Sequence, residues 1–112
     1  MTGNDARNPI ARPPRAVDLA PLLARQARVP EHVVYREFAQ ETVVLNLQTG
    51  QYHGLNPTGG RMLEVVERTA SLREAAAELS AMLPVDPAMV ERDLLRFCWD
   101  LSQRGLIETV DP

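Results

Sequence analysis

The only histidines of this 112-residue chain are His32 and His53, and its only cysteine is Cys98. A cysteine beside a histidine is a minimal nucleophilic device, and Cys98 with His53 is the pairing on offer. Their contexts argue against it. Cys98 lies in the apolar arc of a helical segment, where a thiol behaves as a small buried hydrophobe, and His53 stands in an alternating strand as a polar surface residue. H-E-x-x-H, C-x-x-C, G-x-S-x-G and G-x-x-x-x-G-K-[ST] are all missing from the sequence, and with them the chemistry those spacings serve. The helix start at Pro57-Thr58-Gly59-Gly60 has main-chain donors for an anion but no lysine to make a phosphate site. A single cysteine excludes an internal disulfide framework and multi-cysteine zinc binding. The expectation is no catalytic residue, no cofactor and no metal.

What remains is the chemistry of the main chain, and the elements that would expose it. VVLNLQTGQYHGLNPTGGRML, residues 43–63, reads as two strands joined at Thr49-Gly50 and followed by a helix. Val43, Leu45 and Leu47 alternate with Thr42, Asn46 and Gln48, which predicts a half-buried strand with the first set in the core and Val44 an exception on the polar face. A two-residue loop would pair Leu47 with Tyr52, Asn46 with His53 and Leu45 with Gly54, placing Tyr52 on the core face and Gln51 and His53 outward. A preceding strand is read over 32–38. Asn56-Pro57 starts a helix, a cap followed by proline at the first helical position. Ser71 and Glu74 form a capping box for a second, and Asp86-Pro87 opens a third that ends at Gly105. Residues 106–110 read as a short final strand. The predicted fold is α+β and winged-helix-like: a three-stranded antiparallel sheet, three helices and a short C-terminal strand. Gly59 and Gly60 each cost about 0.5–1 kcal/mol relative to alanine inside a helix, which predicts close packing over that junction.

Charge divides the chain. Residues 1–28 carry five arginines and two aspartates, a balance of +3, and with Pro9, Pro13 and Pro14 they read as a disordered or partly helical tail. In that tail, residues 18–28 suggest a short helix capped by Asp18. Residues 29–112 carry seven arginines and thirteen acids, a balance of −6, and read as the domain. An acidic domain is poorly suited to a phosphate backbone. No apolar run approaches the ~18 residues of a membrane span and no signal peptide is read, so a cytoplasmic protein without a membrane partner is expected.

The third helix carries Val90, Leu94, Leu95, Phe97, Cys98, Trp99 and Leu101, an apolar arc about twice the ~100° stripe of an ordinary surface helix. Strand 51–55 contains neither proline nor charge, the usual protections of a sheet edge. An open edge beside a helix with spare apolar surface predicts β-augmentation, in which an extended peptide pairs with the strand and drops side chains against the helix. Residues 106–110 or the tail are the candidates within the chain for covering that edge. A winged-helix DNA-binding regulator is the alternative function, since Arg92, Arg96 and Gln103 lie together on the polar arc of the third helix. Asp93 and Asp100 on the same arc weigh against it.

Residues 43–63 resemble the "L-D-x-x-T-G-x-Y-x-x-L-N-x-T-G" block of the PqqD-like proteins, also called RiPP recognition elements, with Asn46 in place of the usual aspartate. VERDLLRFCWDLSQRGLI, residues 90–107, resembles their closing helix. The similarity runs from about Val29 to Val110 and is greatest to the stand-alone lasso-peptide-type proteins. It implies a non-catalytic winged-helix-like adaptor, a peptide chaperone of natural-product biosynthesis. Such a protein binds the leader of a ribosomally made precursor peptide as an added strand and presents it to a modifying enzyme or leader protease. Carried onto this sequence, the leader would meet Gln51, Tyr52, His53, Gly54 and Leu55 on the strand. On the third helix it would meet Asp93, Leu94, Leu95, Arg96, Phe97, Trp99 and Leu101. Nucleic acid is not an implied partner.

Overall fold

The computed structural model describes residues 14–112, and the part of the predicted tail before them lies outside the described residues. Helix α1 (Ala16–Leu19) leads through a 3-10 turn (Ala20–Ala24) into strand β1 (Gln26–Arg28). Strands β2 (Val33–Glu37), β3 (Thr42–Asn46) and β4 (Tyr52–Leu55) follow. Helices α2 (Pro57–Arg68), α3 (Leu72–Met82) and α4 (Pro87–Gln103) and strand β5 (Glu108–Val110) complete the chain. The α+β class and the antiparallel meander β2-β3-β4 are as predicted. The helix starts are too: Asn56 Oδ1 accepts from Gly59 N at 2.7 Å, Ser71 Oγ from Glu74 N at 3.2 Å, and Asp86 Oδ1 from Ala88 N at 3.0 Å. Gly105, at φ +74°, takes the left-handed position beyond the α4 cap that glycine tolerates best.

The boundary predicted between residues 28 and 29 does not divide tail from domain. Leu19, Leu23 and Ala27 are buried in the common core. β1 pairs antiparallel with β5, from Gln26 against Val110 to Arg28 against Glu108. Arg25 O accepts from Leu72 N at 2.8 Å, which ties the segment to the start of α3. Asp18 is not the cap either: it sits inside α1 and its carboxylate accepts from Arg15 N at 3.2 Å. Burying one leucine is worth about 1.5–3 kcal/mol against a total stability of about 5–15 kcal/mol. Deleting residues 1–28 should therefore abolish the cooperative thermal transition seen by circular dichroism; an unchanged melting curve would restore the tail reading.

The sheet is turned over relative to the prediction. Thr42, Val44 and Asn46 are the buried residues of β3, Val43 and Leu45 are half-buried on the opposite face, and Leu47 is exposed. Two local constraints select this face. Asn46 Oδ1 accepts from Gln48 N (2.9 Å) and Thr49 N (3.3 Å), which folds the connection around the Asn46 side chain. Gly60, in α2, packs directly on Thr42: a Cβ there would lie 3.1 Å from Thr42 Cβ and overlap Thr42 Oγ1. A bulkier apolar residue at 42 would push the helix off the sheet.

The same asparagine lengthens the hairpin loop, so the register shifts by two. Tyr52 pairs with Leu45, His53 with Val44, Gly54 with Val43 and Leu55 with Thr42. A shift of two preserves which residues share a face. Tyr52 does lie with Leu45, but on the outer side.

Candidate functional site

The register decides which main-chain groups are free. Asn46 N donates to Gln51 O at 2.9 Å, making 46 and 51 a hydrogen-bonded pair. Such pairs alternate along an antiparallel ladder, so Val44 with His53 and Thr42 with Leu55 are bonded as well. Tyr52 and Gly54 must then turn their N–H and C=O groups away from β3. Among the described residues no strand takes them up, because β5 pairs with β1 and β4 is the end of its sheet. β2 at the opposite end is also an edge, but Val33 N donates to Pro30 O at 3.0 Å, Glu31 precedes the strand and Arg36 and Glu37 lie within it. Charge protects that edge; nothing comparable stands within β4.

Helix α4 runs beside the β4 edge. Arg104 Nη1 lies 3.5 Å from His53 Nδ1, and Phe97 Cε1 would be 3.4 Å from a Cβ on Gly59. The C-terminal end of α4 thus reaches β4, and its middle reaches the first turn of α2. Just beyond the end of β4, between the start of α2 and α4, opens a cleft of about 430 Å³ lined by Asn56, Thr58, Gly59, Met62, Asp93, Arg96, Phe97 and Asp100. Asp100 pairs with Arg104 at 3.1 Å and Asp93 with Arg92 at 3.8 Å. Arg96 is in no ion pair among the described residues.

The wide apolar arc of α4 is divided between two neighbours. α1 packs against α4, and Leu95 and Trp99 on the edge away from Phe97 are buried and half-buried respectively. Leu94, Leu95 and Leu101 are all buried and offer no surface to a ligand, contrary to the sequence reading; they hold the helix on the core. Of the helix residues singled out from sequence, Asp93, Arg96 and Phe97 line the cleft. On the strand, Tyr52 is exposed, Gly54 lies over the outer face, and His53 and Leu55 are half-buried toward the helices. Gln51 stands in the loop. Sequence reasoning missed Asn56, Thr58 and Met62. The Asn-Pro cap was a usable signal for them, because it sets where the chain leaves the strand.

Nothing in the arrangement assembles a nucleophile. Cys98 is sealed in the core, where burial pushes its thiol up to about 12, whereas His53 faces Arg104. A polar hollow at Arg28–His32 and Glu108 contains His32 without a cysteine or second histidine. Among the described residues there is no cluster of metal-ligating side chains, and no helix is long and apolar enough to cross a membrane. The Tyr35 hydroxyl donates to Glu67, joining β2 to α2. Burial first, then this bond and the carboxylates of Glu67, Glu64 and Glu37, raise its pKa. Both shifts are upward, so their contribution to stability is whole at neutral pH and is lost as pH rises through the alkaline range.

The outer face of the sheet is largely apolar, and among the described residues nothing covers it. Val34, Leu45 and Tyr52 form one cross-strand row, with Val43, Phe38 and Leu47 around it. Tyr52 is 69% exposed, Leu47 58% and Phe38 55%, too much for residues whose contacts were complete.

The structure of TbiB1 in complex with the TbiA(beta) leader peptide is similar at 34% identity and TM-score 0.67, over 72% of this chain and 94% of that one. Lasso peptide synthetase B1 complexed with the leader peptide matches at 20% identity and TM-score 0.67, over 74% and 98%. The solution structure of the PqqD truncation of Methylobacterium extorquens PqqCD, a stand-alone RiPP recognition element, matches at 24% and 0.62, over 73% and 87%. These last two show the fold alone. Comparison with curated proteins gives no significant match. The sequence model of the family described as Coenzyme PQQ synthesis protein D (PqqD) matches residues 41–107. That span holds the β3–β4 hairpin, the cleft and all three long helices, and the chain belongs to the PqqD family.

Proposed function

We propose that this chain is a non-catalytic adaptor for a ribosomally made precursor peptide. It binds the leader as a fourth strand on β4 and presents it to a modifying enzyme or leader protease. The observation that carries the reading is the free main-chain edge at Tyr52 and Gly54, aligned with a cleft under Phe97. Main-chain pairing gives affinity independent of side chains, and the cleft selects among leaders. Its kinship with TbiB1, a protein solved with a leader peptide, supports the same use. The DNA-binding alternative rests on Arg92, Arg96 and Gln103 and has little to stand on, since Arg92 is paired with Asp93 and Arg96 shares its cleft with Asp93 and Asp100.

A labelled leader from any precursor gene found beside this one should bind with a Kd of about micromolar or better, roughly −8 kcal/mol. Fluorescence anisotropy should show little dependence on salt. Duplex DNA bound instead, with a steep salt dependence, would replace the adaptor reading by the regulator.

Presentation needs a second surface, and the apolar outer face adjoins the first at Tyr52. An enzyme seated there would meet the peptide as it leaves the groove. Phe38→Asp should leave leader affinity within about twofold, as surface changes generally do, yet sharply slow leader-dependent turnover by the partner enzyme. Unaltered turnover would remove this face from the assembly.

A further inference from the structure

We propose that a notch over Gly54, on the outer face of the sheet, selects a basic side chain of the added peptide through Glu41. This rests on the leader-binding reading and specifies what the leader carries. A Cβ on Gly54 would stand 2.7 Å from Glu41 Oε2, so the carboxylate lies over the glycine. Val43, the cross-strand partner of Gly54, and Tyr52 supply apolar walls. With Glu41 and His53 they line a space of about 310 Å³. Among the described residues the Glu41 carboxylate takes part in no ion pair. Apolar walls ending in one unpaired carboxylate suit the aliphatic stem and cationic tip of lysine or arginine.

The register brings the peptide to this notch. Gly54 turns its N–H and C=O to the free edge, so an added strand places one residue directly opposite it, and directly opposed side chains share a face. That residue looks into the space glycine leaves. Its immediate neighbours along the peptide point the other way, toward Phe97 and Arg96, and the residue two positions along lies beside the Tyr52 ring. The peptide is read from both sides: apolar anchors by the cleft, charge by Glu41. Any other residue at position 54 would put its own side chain into the notch.

The test is a positional scan of a labelled leader from any precursor gene found beside this one, each position in turn made Lys, Ala or Glu. The scan is titrated against the wild-type chain and against Glu41→Gln and Glu41→Arg. Glu41 is exposed, so both variants should melt as wild type does. The expected result is one position where the wild-type chain prefers Lys over Glu by about fivefold, the upper range for one exposed ion pair. Glu41→Gln should erase that preference and Glu41→Arg invert it, with other positions unmoved. Leaders that bind with no charge preference following residue 41 would overturn the notch and leave the adaptor reading intact. A wild-type chain that binds no member of the scan would overturn the adaptor reading, and the notch with it.

Discussion

Tyr52→Pro should leave the domain folded while weakening leader binding at least about tenfold, the equivalent of 1.4 kcal/mol. The reason is the pairing pattern. Tyr52 does not donate to β3, so the imino acid removes a donor only from the free edge, where proline is tolerated. A leader strand would lose one main-chain hydrogen bond, worth about 0.5–1.5 kcal/mol, and would meet the pyrrolidine ring where its own carbonyl should sit. Tyr52→Ala keeps the N–H and separates the contribution of the ring. His53→Pro, one residue on, removes a donor that β3 uses, and should destabilise the fold by about 1–3 kcal/mol by leaving a carbonyl unpaired. Anisotropy and urea unfolding on the three variants distinguish the cases. If Tyr52→Pro binds leader as tightly as wild type, strand addition on β4 is refuted.

Gly60→Ala should lower the stability of the domain by about 1–3 kcal/mol, the usual cost of forcing volume into a packed core. Elsewhere in a helix the same change would be expected to help, because alanine is the better helix former. Here the new methyl meets the side chain of Thr42, which is buried and β-branched and has no free end to swing aside. Thr42→Ala removes the hydroxyl in the way, so the double variant should recover part of the loss, with a coupling of about 1 kcal/mol or more. Urea midpoints for the two single variants and the pair close the cycle. Additive effects would mean that helix and strand do not approach as closely as the structure has them.

Much of the fold was legible because its signals are local. Asn56-Pro57, Ser71 with Glu74, Asp86-Pro87 and Gly105 mark helix ends through bonds formed within a few residues, and each makes the bond or takes the backbone angle expected. The strand edge was legible for a similar reason: an absence of proline and charge is written in the strand itself. The tail was misread because residues 16–28, though rich in leucine and alanine, are too short to declare a core by themselves, and their partners lie at the far end of the chain. Arg25 donates to Thr109 O at 2.8 Å, a contact no window of sequence contains. Leu94, Leu95 and Leu101 were misassigned to the groove because helical periodicity gives the width of an apolar arc but not the identity of what covers each part.

From the sequence alone the elements from β2 to β5, their order and the family resemblance could be settled, since caps, periodicity and motif spacing act along the chain. Which side of the sheet faces the helices was left to the tertiary structure. Period-two alternation defines two faces and is silent on which is buried; the more apolar set, Val43, Leu45 and Leu47, is the natural choice for the core. The folded chain takes the other set because Gly60 needs a small, close partner in Thr42 and Asn46 must turn inward to hold the loop. That choice leaves Val34, Phe38 and Tyr52 on the outside, and leaves Gly54 beside its free edge with the Glu41 carboxylate over it.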